Sequence, residues 1–137
     1  MDELVKWLRE QLDDDERIAR AACRYASPEW HLDEEFGETV LWWPPEFHTP
    51  YEEDKHWRGQ ALDGQLAPHI AEHDPARALR EIGAKREALA HFERIRQHTR
   101  QGDEAYLLAE GAVARQIQIM ATAYAVRSGY KESWRPS

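Results

Sequence analysis

From Leu4 to Tyr25 the apolar residues step at three and four: Leu4, Leu8, Leu12, Ile18/Ala19, Ala22, Tyr25. That spacing places them on one stripe and predicts an amphipathic helix from Asp2 to about Ala26. Acids lead it at Asp2 and Glu3, and Arg24 falls in its last turn, in keeping with the helix dipole. Asp15 interrupts the stripe, and Ser27-Pro28 ends it. A second helical pattern begins at Asp74-Pro75, an N-cap followed by proline at the first helical position. It runs to about Thr99 with Leu79, Ile82, Arg86, Leu89, Phe92 and Ile95 along one side. Gly102 stops it and Asp103 caps the next helix, which runs from about Asp103 to Ser128. This last helix is apolar most of the way round, and that pattern predicts a central position. Gly111 and the alanines would allow close approach of neighbours, and Gly129 would form the C-cap.

Between Pro28 and about Pro68 the helical period disappears. Glycines and prolines recur there, and Glu38 to Trp43 has the β-branched and aromatic character of a strand. A hairpin would pair Trp30-His31-Leu32 with Thr39-Val40-Leu41 across a turn near Gly37. A stretch of this length is too long for a plain connection and marks either a functional loop or a mobile one. The predicted fold is therefore mainly α: one domain over residues 1–137, an antiparallel three-helix bundle. A small β-hairpin or irregular insertion, residues 28–68, lies between its first and second long helices.

Composition narrows the function classes. The chain has 137 residues, enough for one real core, and 42% of them are hydrophobic. A net charge of −8 speaks against direct nucleic-acid binding and against an anionic membrane surface, both of which call for a basic footprint. Cys23 is the only cysteine, so an intramolecular disulfide, a CxxC redox pair and a multi-cysteine zinc site are all excluded. The acidic start carries no secretory hydrophobic region, and the charge-free stretch Gln116 to Val126 is far short of a membrane span. A cytoplasmic setting is expected.

The charge is unevenly placed. Between Tyr25 and Asp54 stand nine acids and no lysine or arginine, leaving 17 acids against 18 bases elsewhere. The same segment holds Trp30, Phe36, Trp42, Trp43, Phe47 and Tyr51, with Trp57 just beyond. The helix after Pro75 is opposite in sign, with seven basic residues against Glu81, Glu87 and Glu93.

Three stretches carry a resemblance. They are Met1-Asp2-Glu3-Leu4-Val5 through Ala22, His69-Ile70-Ala71-Glu72-His73-Asp74-Pro75-Ala76-Arg77-Ala78-Leu79-Arg80-Glu81, and Tyr130-Lys131-Glu132-Ser133-Trp134-Arg135-Pro136. Together they resemble a domain-of-unknown-function family of small proteins of actinobacteria, notably streptomycetes, and of their phages. Pro28 to Leu66 and the charge-poor helix after Gly102 depart from that pattern. The resemblance implies a source and a cytoplasmic setting; it supplies no activity.

Motifs of catalysis are few. His69-x-x-Glu72-His73 has the spacing of an inverted zincin, in which two histidines hold zinc and the glutamate activates water. Pro75 follows closely, so the pair would sit on a short helical turn of its own, and no third ligand is identified; Glu81 and Glu87 are mere candidates. The alternative is that both histidines pack or hydrogen-bond where the helix begins. Glu87, His91 and His98 share a helix face, a pattern usual for a solvated flank. No serine lies in a GxSxG context, and Gly59-x4-Gly64 is followed by Gln65-Leu66 rather than Lys-Ser/Thr, so no phosphate loop is present.

The reading that follows is a non-catalytic interaction or regulatory protein, phage- or prophage-related as the resemblance implies. It would need no cofactor and would bind a protein partner through Trp42, Trp43, Phe47, Tyr51, Glu52, Glu53 and Asp54. A second copy of the chain is a further candidate partner, its insertion meeting the basic helix. Two alternatives stand beside this one: a zinc hydrolase at His69, Glu72 and His73, and an acidic nucleic-acid mimic using the acids of residues 33–54. In a fourth view the insertion simply caps its own helices.

Overall fold

A computed structural model describes residues 1–24, 28–33, 38–42, 56–59 and 66–137. The protein is mainly helical, with helices α1 (Asp2–Ala22), α2 (Leu66–Glu72), α3 (Pro75–Arg100) and α4 (Leu107–Thr122). Strands β1 (Trp30–Asp33), β2 (Glu38–Trp42) and β3 (His56–Gly59) form a sheet in that order. Contacts gather in two compact units: Met1–Asp14 with Ile82–Ser137, and Asp15–Glu81. Among the described residues, no helix is long and apolar enough to cross a membrane.

In the first unit, Leu4, Leu8 and Leu12 are fully buried with Phe92, beside Leu89, Ile82, Ile117, Ala121 and Tyr124. The i, i+4 spacing of the three leucines is what brings them to one side of α1. The buried face is wider than that stripe, because Val5 and Trp7 join the same cluster. Trp7 holds its indole by donating Nε1–H to the Ser128 carbonyl at 3.0 Å, with Tyr130 and Trp134 packed on its ring. Gly129 lies against it at φ +85°, where a Cβ would come within 2.8 Å of Trp7 Nε1. Glycine is required there for both reasons.

Where α3 ends, Asp103 N–H reaches the His98 carbonyl and Gly102 N–H reaches Thr99, with Gly102 at φ +89°. This glycine-centred closure satisfies the orphan carbonyls of the last turn. Asp103 then accepts from Ala105 N–H and starts a 3-10 turn, Glu104–Tyr106, ahead of α4.

Three expectations need correction. First, α1 ends at Ala22 rather than near Ala26, where Arg24 N–H bonds to Ala21 and tightens the turn. Within its second half, in the other unit, Ala19 is buried while Ile18 is 59% exposed. Second, α4 stops at Thr122 rather than Ser128. Tyr124, Ala125 and Arg127 then bond three residues back in tighter turns, so Gly129 caps no α-helix. Third, α4 is not central. It buries Ile117 and Ala121, with Tyr124 just beyond its end, but leaves Leu108 90%, Leu107 55% and Ile119 46% exposed. A Cβ added at Gly111 would meet nothing within 4 Å among the described residues, so this glycine serves no close approach there. A helix apolar all round can bury only the side its partners reach, and periodicity does not say which.

Arg96 of α3 is the buried charge of this unit. Its Nη1 stands 2.6 Å from Asp2 Oδ1, with Glu93 at 3.7 Å and Glu110 at 3.8 Å. The first contact is close but poorly angled for Nη1, so the pair works more by proximity than by an aligned hydrogen bond. Three carboxylates around one guanidinium spare it the cost of an unpaired buried charge. Elsewhere in the unit, Arg86 pairs with Asp13 at 2.6 Å and Lys131 with Glu3 at 2.7 Å. Both lie on the surface, where such pairs contribute little.

Two outcomes follow. Phe92→Ala opens a cavity at a fully buried site and lowers unfolding free energy by about 3–5 kcal/mol in urea titrations. The Arg96 guanidinium close beside Asp2 holds its carboxyl below the ordinary value of 3.8, and Lys131 acts likewise on Glu3. A depressed carboxylate stabilises the fold above its unfolded pKa, and that contribution is lost as pH falls through the folded pKa. NMR titration should therefore find the Asp2 midpoint below the usual range in the native chain, and back near it in Arg96→Gln.

Candidate interaction site

The second unit holds the start of the acidic aromatic segment, and one carboxylate ties it down. Asp74 precedes Pro75 and is buried. Its Oδ1 accepts Arg77 N–H at 2.7 Å, the N-cap bond of α3, while Oδ2 accepts Trp30 N–H at 3.1 Å. The Pro28 carbonyl takes Ala76 N–H at 2.9 Å, another of the donors that a helix start leaves unpaired. Thus the backbone on both sides of Glu29 is fastened to the first turn of α3. A cap is a local device in the sequence; here its second oxygen also sets where β1 begins.

From there the strands pair antiparallel. Trp30 stands opposite Leu41, His31 opposite Val40, Leu32 opposite Thr39 and Asp33 opposite Glu38. Strand β3 lies on the other side of β2, with Leu41 opposite Trp57, Val40 opposite Arg58 and Trp42 opposite His56. One cross-strand row therefore holds Trp30, Leu41 and Trp57, and helix α2 lies against β1 and β2. Paired positions in a sheet are neighbours, so the register brings two tryptophans far apart in sequence to flank one leucine position. Sequence reasoning gave β3 no strand. His56-Trp57-Arg58-Gly59 is short and half polar, and only its pairing with β2 makes it one.

Of the candidate binding residues, Trp42 closes β2 at the register position of His56. Trp43, Phe47, Tyr51, Glu52, Glu53 and Asp54 lie outside the described residues.

His69 and His73 do come together. Their ring centroids are 4.2 Å apart, and His73 Nδ1 is 2.7 Å from the His69 carbonyl oxygen. Such a bond has Nδ1–H as its donor, and in the neutral ring the lone pair is then on Nε2, an arrangement common to metal-binding histidines. As expected, the pair sits on a short helix of its own, α2, whose turn continues to His73 through its N–H to the His69 carbonyl. Both rings are exposed, and Glu72 faces Arg77 at 3.6 Å instead. Arg77 also bonds Glu81 at 2.8 Å; that hydrogen bond, with the attraction of Glu72 and Asp74, raises its pKa. Glu81, one candidate third ligand, is thereby engaged elsewhere. Among the described residues, no group of three or more histidine, cysteine or acidic side chains is placed to hold a metal ion.

The chain matches the Family of unknown function (DUF6221) over residues 1–136, and it belongs to that family. The matched range takes in Pro28 to Leu66 and the helix after Gly102, the two stretches that the sequence resemblance had set apart. No curated protein and no solved structure gives a significant match.

Asp74 is the position to perturb. Asp74→Ala removes the cap and the Trp30 tie together and lowers stability by about 1–2 kcal/mol. Amide exchange at Trp30 should rise more than the loss of global stability explains, whereas a cap serving α3 alone would leave that difference at zero.

Proposed function

We propose that this member of the family is a non-catalytic interaction or regulatory protein that binds a protein partner through its acidic aromatic insertion. One observation carries the reading: nine acids, no lysine or arginine and three of the chain's six tryptophans fall within one segment. Aromatic anchors inside a charged rim are the usual composition of a binding patch. The row of Trp30, Leu41 and Trp57 supports it, because a sheet register gathers aromatic positions that a loop would scatter. In this reading the three long helices form an antiparallel bundle and residues 28–68 a hairpin-bearing insertion. The resemblance to actinobacterial and phage proteins makes a phage- or prophage-linked, cytoplasmic role the natural setting. The partner presents apolar pockets with a polar rim. Strong salt sensitivity of its capture would instead favour mimicry of nucleic acid.

A metal-dependent hydrolase at His69, Glu72 and His73 is the second reading, favoured by the closeness of the two rings and by the Nδ1 contact of His73 with the His69 carbonyl.

One experiment separates the two. Immobilised full-length protein is offered a lysate of its source organism and, in a parallel cell, titrated with zinc by calorimetry. The interaction reading expects a specific prey that drops at least tenfold with Trp42→Ala/Trp43→Ala; an unchanged catch overturns it. Stoichiometric zinc binding abolished by His69→Ala would support the metal reading, and no binding would remove it.

A further inference from the structure

His69 of α2 and His73 of the turn that continues it stand four residues apart, the helical spacing that makes two side chains neighbours. Both are exposed, and their rings lie 4.2 Å apart, tilted by 33°. Two imidazoles side by side can each turn one nitrogen toward a shared ion. Metal–nitrogen bonds of about 2 Å put such nitrogens about 3 Å apart, within reach of a small rotation of either ring. The backbone orients one of them: with His73 Nδ1–H on the His69 carbonyl at 2.7 Å, the neutral ring keeps Nε2 for a ligand. The nearby carboxylates are engaged elsewhere. Glu72 stands 3.6 Å from Arg77, and Glu81 is 2.8 Å from the same guanidinium. Among the described residues, no third histidine, cysteine or acid completes a metal-holding group.

We propose that His69 and His73 form a two-histidine clamp for divalent copper or nickel, which holds the ion without performing hydrolysis. Two protein ligands are too few for zinc, whose structural sites take four and whose catalytic sites take three. They suit an ion that accepts a square or tetragonal arrangement and fills its other positions with water. Copper(II) and nickel(II) are such ions, and copper(II) binds a given set of nitrogen ligands most strongly of the first-row divalent metals. The inference rests on the metal-binding half of the second reading above, drops its catalytic half, and gives Glu72 no role. The clamp also acts on α2 itself. A helix of seven residues is marginal alone, and an ion tied to positions four apart closes the turn that His73 N–H makes with the His69 carbonyl at 3.2 Å. Both imidazoles must be neutral to coordinate, so capture weakens in acid.

Calorimetric titration of the full chain with copper(II) chloride tests the clamp, with electron paramagnetic resonance on the same samples. The expected result is one ion per chain, two nitrogen ligands in the spectrum, and binding at least about tenfold tighter than that of zinc. His69→Gln and His73→Gln should each weaken capture by at least about tenfold, while Glu72→Gln and His91→Ala leave it within about twofold. Amide exchange at His73 should slow on loading, and not in His69→Gln. No binding, or binding indifferent to both histidines, overturns the proposal. Capture lost in Glu72→Gln, or zinc held as tightly as copper(II), also overturns it, and favours the three-ligand site of the hydrolase reading. Copper(II) held by the pair with zinc left unbound supports the clamp and removes the hydrolase.

Discussion

Burial of Leu4, Leu8 and Leu12 with Phe92 is the contact on which the first unit depends. These four side chains are completely withdrawn from water, and tertiary packing of this kind supplies most of a helix's stability in a protein. Burying large aliphatic and aromatic groups contributes about 1.5–3 kcal/mol apiece, more than any surface ion pair in the molecule. The other features of the unit serve this seam. Trp7, Tyr130 and Trp134 close one flank, with Gly129 as the residue small enough to pass. At another, Arg96 is tolerated near the core only because Asp2, Glu93 and Glu110 surround it.

The second unit follows a different economy of contacts. Ala19 and Asp74 are buried in it, and Asp74 acts through hydrogen bonds. One of its oxygens starts α3 and the other holds the first residue of β1. The aromatic strands thereby begin from a fixed point, even though their composition is that of a surface segment. The His69–His73 pair lies on the turn that leads directly into this anchor.

Much of the helical framework was legible because its signals are local. Asp74-Pro75 starts α3 and Gly102-Asp103 separates it from α4, through caps that engage atoms only a few residues away. The buried positions Ile82, Leu89, Phe92 and Ile95 follow the stripe that periodicity predicts. For the candidate site, composition alone marked the segment, by nine acids without a base. It did not give strand β3 or the Trp30–Leu41–Trp57 row, since pairing partners across a sheet leave no mark on the spacing within each strand.

What the sequence determined, then, is where helices start and stop and where charge and aromatic surface concentrate. The side of α4 that faces the core was a tertiary decision. Its residues are apolar in every direction, so no hydrophobic face competes with another until neighbours arrive. α1 and α3 contribute enough apolar surface to cover Ile117, Ala121 and Tyr124, and Leu108 and Val126 remain in water. Arg96 is the converse case. In sequence it is one more base on a polar face, and only the convergence of Asp2, Glu93 and Glu110 makes its burial stable. Burial is a property of what surrounds a residue, and a one-dimensional pattern carries that information only when one face alone is apolar.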